Sequence, residues 1–78
     1  MRLNFEFDPN NIDSIYNIIQ KFGGDNITYH GEDEYGNIVF ITPSQIDNSI
    51  TVETLQTNGW FRINTYYLNG TVTETFEK

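Results

Sequence analysis

The chain has 78 residues, carries 11 acidic against 4 basic side chains for a net charge of −7, and has no cysteine. That length makes a single domain, 1–78, with a modest core, and the missing cysteine removes disulfides, thiolate chemistry and sulfur ligation of metals. No apolar run approaches the roughly 20 residues that cross a bilayer, and so large an acidic excess excludes binding nucleic acid through its phosphates, which requires Lys and Arg to displace counterions.

In chain order, residues 2–7 alternate. Leu3, Phe5 and Phe7 point one way and Arg2, Asn4 and Glu6 the other, the pattern of a half-buried strand. The same stretch is not a signal peptide, so a cytoplasmic location is expected. Asp8 then reads as an N-cap with Pro9 at the first helical position, where its missing N–H costs nothing. Ile12, Ile15, Tyr16, Ile19 and Phe22 recur at helical spacing, with Ile18 on the margin of the stripe. Asp13 early and Lys21 late suit the helix dipole. Gly23-Gly24 stops the helix.

Residues 25–42 read as a hairpin with its tip at 31–37, which holds Glu32, Asp33, Glu34 and Tyr35. Ile38, Val39, Phe40 and Ile41 form an unbroken apolar run, expected of a central strand or one covered on both faces. Pro43 is expected to end that strand, and 43–48 to form a loop.

Residues 50–78 read as a three-stranded antiparallel meander, because Asn58-Gly59 and Asn69-Gly70 each stand between β-rich runs. Two-residue turns at both places oppose Thr54 to Ile63, Val52 to Thr65, Tyr67 to Val72 and Ile63 to Phe76. One face then holds Ile50, Val52, Thr54, Phe61, Ile63, Tyr67, Val72 and Phe76, the expected core. The other holds Leu55, Trp60, Tyr66 and Leu68 among threonines, with Arg62 between Glu53 and Glu77. A slip of one residue at either turn would exchange the faces.

The fold class is therefore α+β: a two-layer sandwich of one N-terminal helix on a five- to six-stranded, largely antiparallel sheet, in the order β-α-β-β-β-β-β. The helix can cover only one sheet face, and aromatic residues on the other invite a partner.

The chain offers little chemistry. His30 is the only histidine, with no second imidazole for a metal and no nucleophile to activate, so it reads as an exposed hairpin residue. Gly23-Gly24 ends a helix, the wrong polarity for phosphate. No Gly-x-Ser-x-Gly motif occurs. Neither catalytic activity, a cofactor nor a metal is expected. Glu74 falls on the expected core face, which points to an edge strand, where a charge also blocks pairing between edges. Trp60 either closes the core or anchors an interface. Aromatics on a sheet can also stack single-stranded bases, but such platforms carry flanking Lys and Arg, and Arg62 stands alone.

Size, acidity, absent cysteine and absent catalytic motifs together resemble, in style, small phage-encoded inhibitors, including anti-restriction and anti-CRISPR proteins, some of which imitate DNA with carboxylates. That resemblance implies a non-enzymatic protein that occupies a basic, nucleic-acid-binding surface of a protein target. Its contact residues would be Glu32, Asp33, Glu34, Tyr35, Leu55, Trp60, Arg62 and Tyr66, with Glu6, Asp8 and Asp13 adding field. Other readings are a homodimeric structural or accessory subunit, paired through the open face or the last strand, and a toxin-immunity protein. Acidity can also serve solubility alone.

Overall fold

The computed structural model describes residues 8–25, 27–33 and 35–78. The strand expected at 2–7, with Glu6, lies outside them. The remaining order is as read: α1 (Ile12–Phe22), β1 (Tyr29–Glu32), β2 (Ile38–Ser44), β3 (Ser49–Leu55), β4 (Phe61–Tyr67) and β5 (Val72–Glu77). The strands form one five-stranded sheet in sequence order, every neighbour antiparallel. The helix packs on β2 and β3, giving the two-layer α+β sandwich. No helix among the described residues is long and apolar enough to cross a membrane.

The helix begins later than the Asp8-Pro9 pair suggests. Asn11 is the N-cap, its side chain accepting from the Asp13 N–H at 3.0 Å, while Asp8 closes a preceding turn by accepting from the Asn10 N–H. The buried stripe also differs from the expected one. Ile15, Ile18 and Ile19 are buried with Phe22 packed beside them, and Ile12 and Tyr16 face outward. Opposite them lie Val39, Ile41 and Ile50, the core of the domain. Burying each such side chain contributes about 1.5–3 kcal/mol.

Pro43 does not end β2. It lies inside the strand opposite Ile50 and is fully buried. Ladder alternation aims its nitrogen toward β1, whose pairing stops at Tyr29 opposite Ile41, so the missing N–H leaves no bond unmade.

Both Asn-Gly turns are one residue longer than expected. The Gln56 N–H donates to the Trp60 carbonyl at 2.9 Å, and the Tyr67 N–H donates to the Thr71 carbonyl at 2.8 Å. Each loop is thus a type I turn followed by a left-handed glycine, with Gly59 at φ 87° and Gly70 at φ 91°. Asn58 and Asn69 have no positive φ; each instead accepts, through Oδ1, the N–H two residues on, from Trp60 and from Thr71, at 2.9 Å in both cases. That side-chain bond favours the bulged three-residue loop over the type I′ turn.

The two slips cancel across β4. Thr54 opposes Arg62 rather than Ile63, and Ile63 opposes Thr75 rather than Phe76. So β3 and β5 keep the faces expected for them, and β4 alone is turned over. Arg62, Asn64 and Tyr66 lie on the helix side with Ile50, Val52, Thr54, Val72, Glu74 and Phe76. Phe61, Ile63 and Tyr67 lie on the open side. Because α1 packs mainly on β2 and β3, Val72 and Phe76 on the far edge strand are exposed rather than core. Glu74 is on an edge strand, as its charge suggested, and accepts from Asn64 Nδ2 at 2.9 Å.

Candidate interaction surface

The open sheet face is built in rows that cross all five strands. One row carries His30, Phe40, Glu53, Ile63 and Thr75, and extension of the same registers makes the next Glu32, Ile38, Leu55, Phe61 and Glu77. His30 meets Phe40 edge-on, ring centres 4.8 Å apart, and Phe40 meets Phe61 at 6.2 Å. The result is an apolar centre with Glu32, Glu53 and Glu77 set into it. Ile38 remains 48% exposed there, although Val39 and Ile41 on either side of Phe40 are buried under the helix. A further row is all threonine: Thr28, Thr42, Thr51, Thr65 and Thr73. The Thr28 and Thr42 hydroxyls lie 2.8 Å apart, and those of Thr51 and Thr65 3.4 Å apart.

Strand directions bring the β1–β2 tip, the β3–β4 turn and the end of β5 to the same end of the sheet. Glu32, Asp33, Tyr35, Leu55, Trp60 and Arg62 therefore gather at that end, as one contact region requires. Tyr66 belongs to the other half of β4. They do not share a face, however. Glu32 and Leu55 belong to the open side, Arg62 and Tyr66 to the helix side. Arg62 does not stand between Glu53 and Glu77, whose side chains are across the sheet; its neighbours in register are Thr54 and Phe76. Glu34 lies outside the described residues.

Within the tip, Asp33 is a structural carboxylate. It accepts from the Tyr35 N–H at 2.9 Å, the Asn37 N–H at 2.8 Å and Asn37 Nδ2 at 3.0 Å. Burial pushes its carboxyl up, but the bonds from Asn37 and Tyr35, with the Arg62 charge, outweigh that and hold it below its ordinary value. These bonds lift Tyr35 outward, 81% exposed. Trp60 is 39% exposed at the neighbouring turn, with Lys78 Nζ 5.8 Å from its ring centre. Tyr66 packs against the core, and burial, opposed by Arg62 and reinforced by Glu74, raises its hydroxyl pKa. Tyr66 and Tyr67 face opposite ways, yet both are half-buried.

At the other end of the sheet a shallow cleft of about 390 Å³ is lined by Asp47, Asn48, Tyr67, Leu68 and Asn69. Its lining pairs no nucleophile with a base. Among the described residues no group of three His, Asp or Glu side chains is placed to hold a metal ion.

The sequence reading placed Glu77 on the open face but missed Phe40, Phe61 and Ile63 as parts of it. For Phe61 and Ile63 the signal was the register of β4, which moved with the turns; Phe40 lay hidden in the unbroken apolar run of β2. Comparison with protein-family models, with curated proteins and with solved structures returned no match.

Proposed function

We propose that the protein acts by occupancy: a small acidic, non-enzymatic binding protein that covers a basic, nucleic-acid-binding surface of a protein target, in the manner of phage-encoded inhibitors. The observation that carries this reading is the open sheet face, where the carboxylates of Glu32, Glu53 and Glu77 are interleaved with Phe40, Phe61, Leu55 and Ile63. Apolar side chains at the middle of an interface supply affinity, and surrounding charge supplies encounter rate and selection of a basic partner. Asp33 contributes by shaping the tip that presents Tyr35, more than by presenting a charge of its own.

The test is capture from host lysate with the tagged protein, at low salt and again at about 0.5 M salt, where the screening length falls to a few ångströms. The expected result is a nucleic-acid-binding protein held at low salt, weakened at high salt and displaced by duplex DNA. Capture unchanged by reversing Glu32, Glu53 and Glu77 together to Lys would sink the reading.

A further inference from the structure

We propose that β5 pairs antiparallel with β5 of a second copy of this chain, joining the two sheets edge to edge. All six residues of β5 are exposed, and that includes Val72 at 54% and Phe76 at 52%. Starting from the bonded pair Tyr67 and Thr71, ladder alternation turns the backbone groups of Thr73, Thr75 and Glu77 toward β4. The N–H and C=O groups of Val72, Glu74 and Phe76 are therefore aimed outward, and among the described residues no strand pairs with them.

The occupant follows from the side chains. Residues whose backbones face outward must oppose one another across a new ladder, which leaves few registers. With Thr75 on the two-fold axis, Glu74 would face Phe76. Moved one step toward β5's start, Glu74 would face Glu74 of the partner subunit, which repels. With Phe76 on the axis, the two phenylalanines meet, and each Glu74 stands opposite a Lys78. The stretch Glu74-x-Phe76-x-Lys78 is thus complementary to itself read in reverse, the requirement of a two-fold interface. Asn64 holds one Glu74 oxygen, Oε2, at 2.9 Å, which leaves Oε1 for the ammonium group. The pairing buries little area, so association in roughly the micromolar range is expected.

Sedimentation equilibrium across that range tests the register. Wild type should dimerise. Glu74→Lys and Lys78→Glu should each weaken the dimer about tenfold by opposing like charges. The double exchange should restore it. Lys78 is exposed, its ammonium beside the Trp60 ring, and Lys78→Glu leaves the core untouched, so its result stands even if Glu74→Lys disturbs Asn64. A protein monomeric throughout would overturn the proposal, whether the β5 amides prove protected by another segment or exchange freely. A dimer indifferent to both single reversals would overturn it equally.

Discussion

Gln45, in the β2–β3 turn, holds the end of the helix: its Nε2 donates to the Ile19 carbonyl at 3.2 Å and to the Gln20 carbonyl at 3.3 Å. Its own N–H donates to the Gly23 carbonyl at 3.3 Å. The Gln20 and Gly23 carbonyls lie where a helix end leaves such groups unmatched, and the Ile19 carbonyl also accepts from the Gly23 N–H at 2.8 Å. The β2–β3 turn thus docks on α1 and sets how the helix lies over Val39, Ile41 and Ile50. Gln45→Ala should lower stability by about 1 kcal/mol, the net worth of such hydrogen bonds. Urea unfolding checks this, with the slope unchanged.

The core is small, so single losses weigh heavily. Ile19 is fully buried between helix and sheet. Ile19→Ala should cost about 2–5 kcal/mol, a large share of what a small domain has. Ile12→Ala, on the exposed flank of the same helix, should be close to neutral. A thermal melt of the pair distinguishes this orientation of α1 from one with Ile12 inward.

Gly59 and Gly70 are the left-handed positions of their loops. Replacing either by Ala should cost about 1–2 kcal/mol, because a Cβ is disfavoured there. Asn58→Ala and Asn69→Ala should cost less, since only one side-chain acceptor is lost. In a two-residue type I′ turn the asparagines would themselves be left-handed, and losing them would cost more. Denaturation of the four variants separates the two turn types.

Asp33 makes the tip sensitive to acid. Its folded carboxyl lies below its ordinary value, so folding favours the charged form. That contribution is complete above the ordinary value and is lost as pH falls through the lower, folded one. Asp33→Asn should therefore destabilise at neutral pH and flatten the loss of stability below about pH 4. Unfolding midpoints from neutral pH to pH 3 read this directly.

Much of the fold was legible because its signals are local. The isoleucine periodicity gave α1, the Gly23-Gly24 pair its end, and the Asn-Gly pairs the meander. Side-chain faces were less legible. Whether Asn58 and Asn69 bend their own backbones or brace the next N–H decides between two common turn types, and it turns β4 over. Hence Arg62 and Tyr66 were expected beside Leu55 and lie across the sheet from it. Gln45 gave no sign of its role, since capping from a distant turn has no sequence spacing. The candidate surface was half legible: hairpin acids and sheet-face aromatics were expected as contact residues, but their gathering at one end and into an apolar centre on the open face depends on four registers at once.

The central claim is that the open face, rather than net charge, captures a basic partner. The most direct measurement compares partner capture by two variants of equal charge. One carries Glu53→Lys and Glu77→Lys on the open face. The other carries Asp13→Lys and Asp25→Lys, on and just beyond the helix. The account predicts that the first loses the nucleic-acid-binding partner at low salt and the second keeps it. Equal loss in both would mean that total charge alone governs binding, and retention by the first would remove the open face from the account.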